Sequence, residues 1–187
     1  MNYLKFYTDG ACKNNGQNEA KAGLGIYCKT NIKGVKNKYF AAPYENEPTN
    51  NRAELTAILF SLKVIKKIKE KIPEDTKISI CTDSKYSFDS ITKWMSGWKK
   101  RGWKKADNTE IKNPDIFLEI DKYMDDDIKF EHTKSHTKMP KETSANFENW
   151  YGNDVADRLA NIGVLMINND EIKFIPNEMD KKMNSNL

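Results

Sequence analysis

Leu4-Lys5-Phe6-Tyr7-Thr8-Asp9-Gly10 alternates in polarity up to Thr8 and then stops on an aspartate. It reads as a β-strand whose far end carries a carboxylate. Gly23 to Cys28 and Val35 to Ala42 read as two further strands, joined as hairpins through the Asn- and Gly-rich Lys13 to Asn18 and through Asn31 to Gly34. Three hairpin-linked strands make the first and third parallel, so the third ends at the edge where Asp9 sits. A helix is expected from about Asn50, because Leu55, Ile58, Leu59, Leu62, Ile65 and Ile68 recur at helical spacing while Lys63, Lys66, Lys67 and Lys69 fall largely opposite. Pro73 closes it. Ile78 to Thr82 is the next strand, ending on Asp83. A crossover between parallel strands is right-handed in nearly all cases, which returns Asp83 to the edge of Asp9. Ser84 to Met124 reads as helical and polar, and Ile128 to His132 as a fifth strand. Asn153 reads as the N-cap of a last helix with Val155, Leu159 and Ile162 as its buried stripe. The fold class is therefore α/β, a five-stranded mixed sheet flanked by helices.

Four acids converge on one edge of this sheet: Asp9, Glu54 in the first turn of the first long helix, Asp83, and Asp157 near the start of the last. That edge is where ligands bind in open α/β sheets. Like charges brought together raise one another's pKa unless cations neutralise them. The cluster is thus a candidate metal site, and all-oxygen ligands suit a hard ion such as Mg2+ or Mn2+.

The chain has 187 residues, a net charge of +4 and 31% charged residues, enough for one domain with a real core, expected over residues 1–167, and a polar, partly disordered tail over 168–187. Within that tail Ile172 to Ile175 is apolar enough to dock on the body. The first strand begins almost at Met1, which leaves no room for a signal peptide, and no apolar run is long enough to span a membrane. Three cysteines, Cys12, Cys28 and Cys81, form no CxxC pair; they read as small buried residues in a reducing, intracellular compartment, cytoplasmic or nuclear. No obligatory protein partner is evident.

The motifs Tyr7-Thr8-Asp9-Gly10-Ala11, Thr49-Asn50-Asn51-Arg52-Ala53-Glu54-Leu55, Cys81-Thr82-Asp83-Ser84 and Gly152-Asn153-Asp154-Val155-Ala156-Asp157-Arg158-Leu159-Ala160, with the Trp-rich stretch Ile91 to Lys104, stand in the order found in type 1 ribonucleases H. The chain resembles that family from about Tyr3 to Val164. The resemblance implies a ribonuclease H-like fold and an endonuclease cutting the RNA strand of RNA–DNA hybrids with two Mg2+ ions, Mn2+ substituting. It places the metal ligands on Asp9, Glu54, Asp83 and Asp157, and a mobile catalytic histidine on His136. His132 alternates with Ile128 and Phe130 and reads as structural. For the DNA strand the resemblance implies a basic grip of Trp94, Lys99, Lys100, Arg101 and Lys104, the aromatic Tyr86, and a phosphate pocket at Thr49 and Asn113. Asn15, Asn50 and Asn51 match positions that touch the minor groove. The chain departs from the family pattern at four places: Glu47 occupies a position that is basic in some relatives, Lys85 replaces the more usual polar or apolar residue after Asp-Ser, Ser135 stands where the family often has Gly, and Met139 to Tyr151 lengthens the link to the last helix, with Trp150 and Tyr151 as candidate anchors. A non-catalytic hybrid-binding module on the same fold is the alternative reading, and a polynucleotidyl transferase such as an integrase a third.

Overall fold

The computed structural model describes residues 1–134, 137–169 and 171–185. Its sheet has the order β3-β2-β1-β4-β5. Strands β1 (Tyr3–Lys13), β2 (Lys21–Thr30) and β3 (Lys38–Tyr44) are antiparallel, while β4 (Lys77–Thr82) and β5 (Ile128–His132) run parallel to β1. Strand β1 continues past Asp9, contrary to the expectation that it ends there, because its ladder with β2 persists to Lys13↔Lys21. Only the pairing with β4 stops, at Thr8↔Thr82. Asp9 and Asp83 therefore occupy the next position on each strand, where two central parallel strands part. Strand β3 starts later than Val35. Val35 closes a turn on Ile32, and the Asn37 side chain accepts from the Thr30 amide at 2.9 Å, so these residues belong to the connection.

Side-chain alternation along β1 divides the core between the two faces. Leu4 and Phe6 join Leu24, Ile26 and Ile80 against α1 (Asn50–Ile68) and α4 (Pro114–Tyr123). Tyr7 joins Tyr27 and Cys81 against α5 (Phe147–Met166). Helix α1 starts where expected, with the Thr49 hydroxyl accepting from the Arg52 amide at 3.2 Å as N-cap. It ends at Ile68 in a tight turn, Lys69–Lys71, before Pro73 is reached.

The middle of the chain is less helical than its composition suggests. Helices α2 (Lys85–Asp89) and α3 (Met95–Lys100) join through a wide π-helical turn, Ser90–Trp94, and an irregular segment precedes α4. The largest correction concerns α5. Asn153 is not its N-cap, because the helix begins at Phe147, and the first six residues of α5 bury Phe147 and Tyr151. Part of the long link is therefore helix. Its Gly152 lies against the Tyr7 ring, where a Cβ would come within 2.4 Å.

The tail docks on the same face as α5. Phe174 stacks on Tyr39 with centroids 4.8 Å apart, and α6 (Glu178–Ser185) buries Asp180, which accepts from the Tyr151 hydroxyl at 2.7 Å and from the Arg158 guanidinium at 2.8 Å. All three cysteines are unpaired; Cys81 is buried, Cys12 and Cys28 only partly. Among the described residues no helix is long and apolar enough to cross a membrane.

Gly10 sets how closely α1 approaches β1. A Cβ there would stand 2.3 Å from the Glu54 amide nitrogen and 2.6 Å from the Ala53 carbonyl carbon, both backbone atoms that cannot rotate away. Gly10→Ala is expected to cost roughly 1–3 kcal/mol by overpacking. It should also displace Glu54 from Asp9, so cleavage should fall further than the melting temperature alone predicts. A variant with wild-type stability and wild-type rate would show that the close approach is dispensable.

Candidate active site

Where β1 and β4 part, the carboxylates of Asp9, Glu54 and Asp83 offer oxygens that all lie within 4.8 Å of one another. Asp9 is 6% exposed and Glu54 4%. Asp157, on α5, is not part of this trio but lines the same concavity, with Asn50, Ser84 and Asn161 on its rim. Among the described residues no lysine or arginine lines it.

Burial and mutual repulsion dominate the electrostatics. Burial, then the charges of Asp83 and Asp157, pushes Asp9 up to about 7 despite a hydrogen bond with Glu54. Burial, then the charges of Asp9 and Asp83, holds Glu54 well above the usual carboxylate range. Glu54 Oε2 is buried with no hydrogen-bond partner among the described residues. A buried oxygen without a donor is costly unless something neutralises it. A hard divalent cation held by oxygens fits this donor set.

The shifts fix a pH dependence. Asp9 binds its proton more tightly folded than unfolded, so its contribution to stability is full below about pH 4 and is lost as pH rises through about 7. Glu54 acts in the same direction. In EDTA the melting temperature should therefore fall between pH 5 and pH 8. Millimolar Mg2+ should restore it at pH 8 and change little at pH 5. A flat profile in EDTA would contradict the repulsive cluster.

Asn153 is the residue that sequence reasoning misread. Its Nδ2 donates to Asp83 Oδ2 at 3.1 Å, and its Oδ1 accepts from the Thr133 hydroxyl at 3.1 Å. The Thr133 amide in turn donates to the Thr82 carbonyl at 2.9 Å. Asn153 thus orients a carboxylate of the trio and ties the ends of β4 and β5 to α5. Its signal was helical spacing: Asn153, Asp157 and Asn161 recur every four residues and share one face. Asn161 donates to the Asp157 carbonyl at 2.9 Å. His132 is exposed, with Nε2 3.2 Å from the Asp83 carbonyl oxygen. His136 lies outside the described residues. Immediately after it, the Thr137 carbonyl accepts from the Trp150 indole at 2.9 Å.

The candidate nucleic-acid residues fall into three groups. The Asn50 amide donates to the Asn15 side chain at 3.1 Å, which places both beside the acids, and Asn51 is exposed in the same first turn. Asn113 takes a left-handed backbone, φ 56°, and donates to the Tyr86 hydroxyl at 3.3 Å. Near Thr49, Arg52 forms a bidentate pair with Asp115 at 3.0 and 2.6 Å, clamping the start of α1 to the start of α4. Exposed Glu47 lies 3.7 Å from that arginine. The third group is the basic segment. Trp98 is buried and Trp94 is 43% exposed, with Lys100, Arg101 and Lys104 also exposed. Lys99 is held by Asp121 at 2.7 Å. An exposed pair of this kind is worth only about 0–1 kcal/mol, so a phosphate can displace it.

The arrangement has close counterparts. Residues 1–164 match the family profile described as RNase H. A ribonuclease H of Polynucleobacter asymbioticus is 35% identical over 163 residues, covering 87% of this chain and 90% of that protein. Another, of Alcanivorax borkumensis, is 36% identical over 174 residues, covering 92% and 95%. Among solved structures, the PFV RNase H domain superposes with a TM-score of 0.69 at 28% identity, covering 87% of this chain and 94% of that one. A more distant likeness of fold, at 22% identity and a TM-score of 0.56, is to LC11-RNase H1 in complex with an RNA/DNA hybrid, covering 88% and 98%.

Proposed function

The chain belongs to the RNase H family, and on that premise we propose that it cuts the RNA strand of RNA–DNA hybrids with two divalent cations at its carboxylate cluster. The observation that carries the reading is the trio Asp9, Glu54 and Asp83, with a buried Glu54 oxygen lacking any partner among the described residues. Asp9, Glu54, Asp83 and Asp157 would hold the ions, Mg2+ in the first place and Mn2+ as a substitute. Bound there, the cations supply Lewis-acid stabilisation at phosphorus and acidify water.

The chain's own residues do the rest. Asn153 keeps the Asp83 carboxylate turned to a fixed orientation. Asn50 and its partner Asn15 meet the minor groove beside the acids, where RNA riboses display 2′-hydroxyls that amides can both donate to and accept from. Tyr86, Asn113, Thr49, Trp94 and the lysines of the basic segment take the DNA strand through its phosphates and sugars. The new bond forms between the water oxygen and phosphorus while the bond from phosphorus to the 3′ oxygen breaks. The water's proton leaves through His136 or solvent, and the departing 3′ oxygen takes one up. The products are a 5′-phosphate and a 3′-hydroxyl.

The non-catalytic reading, a hybrid-binding module, has no use for an intact buried acid cluster. A single gel distinguishes the two: labelled hybrid, duplex RNA and duplex DNA, each with Mg2+ and with EDTA. Cutting confined to the RNA of the hybrid and abolished by EDTA is the expected result. Binding without cutting in Mg2+ would select the module, and a 2′,3′-cyclic phosphate product would exclude in-line attack by water.

A further inference from the structure

The acid cluster opens sideways onto a second concavity. Lys134, Thr137 and Trp150 line it together with Asp83, Asn153, Asp154 and Asp157. The same three residues also line a longer groove running on past Lys138 to Asn146 and Asn149. We propose that this groove is a subsite for the phosphodiester backbone of the RNA strand flanking the cut. The proposal rests on the reading of the chain as a hybrid nuclease.

Charge is the first support. Lys134 and Lys138 are exposed and form no ion pair with any described residue. No acid lines the longer groove among the described residues. At its inner end, where Asp83 and Asp157 of the cluster and Asp154 also line the wall, Asp154 holds Arg158 at 3.0 Å. The two lysines therefore give the longer groove net positive charge suited to phosphates.

Rigidity is the second. The Trp150 indole N–H pins the Thr137 carbonyl, and Asn153 pins Thr133, so both flanks of the groove are tied to α5. Trp150 can do this only because α5 begins early enough to include it.

Placement is the third. Tyr86, Trp98 and their neighbours pack against the core on the α1 face of the sheet. Trp150 packs with Phe147 and Tyr151 on the opposite face. A duplex lying across the acid cluster with its DNA strand on the α1 side presents its other strand to the α5 side. That strand is the RNA.

The test uses the full chain and its Lys134→Ala/Lys138→Ala form, whose substitutions lie on the surface and outside the carboxylate cluster. Hybrid affinity is read by fluorescence anisotropy in EDTA across a salt series, so the readout does not depend on cutting. Losing two phosphate contacts should weaken binding roughly tenfold or more and flatten the salt slope by up to about two. In Mg2+, KM should rise with kcat little changed. Neutral methylphosphonates at single RNA phosphates beside the cut should slow the wild-type chain and not the double variant; the same groups in the DNA strand should slow both equally. An unchanged salt slope, or a penalty that moves to the DNA strand, would overturn the subsite. A wild-type chain that cuts no hybrid would instead overturn the proposed function, while the anisotropy series still decides the groove.

Discussion

Asp83→Asn is expected to abolish cleavage, by about three orders of magnitude or more, and to leave the fold intact. Asn153 Nδ2 donates to Asp83 Oδ2. An asparagine at position 83 keeps that bond by turning its carbonyl oxygen toward Asn153. Its amide nitrogen must then face Asp9 and Glu54. A donor replaces an acceptor where a cation needs oxygen, and one negative charge is lost from the cluster. Removing a single preorganised electrostatic group commonly costs 10²–10³ in rate, and a metal ligand lies at or beyond the top of that range. Stability should move the other way. Without the Asp83 charge, Asp9 and Glu54 repel less, so the variant should melt higher than the wild type in EDTA at pH 8. Hybrid binding should stay within several-fold. Near wild-type cleavage in Mg2+ would remove Asp83 from the metal site.

A comparably large effect is expected from the substrate. Asn50 and Asn51 open α1, and the Asn15 side chain, from the turn between β1 and β2, is held by the Asn50 amide. If these amides read 2′-hydroxyls on successive nucleotides, a lone ribonucleotide in duplex DNA satisfies one and leaves the others facing deoxyribose. Each lost hydrogen bond costs about 0.5–1.5 kcal/mol, so two or more amount to roughly one to two orders of magnitude. An amide covered by the bound duplex and left with no partner adds to that. Rapid cutting within a run of several ribonucleotides and negligible cutting at a single one is the expected pattern. Both rates can be measured on one end-labelled duplex carrying the two kinds of site. Efficient nicking at the single ribonucleotide would refute this role for the asparagines.

What could be read from the residues follows from how local the determinants are. Asp9 and Asp83 each follow a short β-rich run, and Glu54 sits one turn into an amphipathic helix, so local pattern and a single handedness rule bring them together. The start of α5 was not legible. Residues 143–153 carry three asparagines and a glycine, which read as loop, and only tertiary packing of Phe147 and Tyr151 against Tyr7 and Tyr27 makes residues 147–153 helical. Gly152 leaves room for the Tyr7 ring, where a Cβ would come within 2.4 Å, a contact no local pattern reveals. Asn153 suffered from the same error, since an asparagine before an apolar stripe satisfies the capping rule equally well. The continuation of β1 past Asp9 was hidden for a different reason. Its pairing partner beyond that point is β2 alone, and long-range pairing leaves no local trace.

Cys81, buried in the core on β4 two residues before Asp83, carries a consequence for solution chemistry. Burial, and the neighbouring Glu131, push its thiol up to about 12. Thiolate is the reactive form, and Cys81 is 1% exposed beneath α5, so alkylation of its sulfur waits on molecules in which α5 has lifted from the sheet. Because α5 carries Asp157 and the Asn153 that holds Asp83, the labelling rate becomes a clock for opening of the fold beside the acids. Divalent cations that bind the cluster must slow that clock by the factor with which they favour the closed fold.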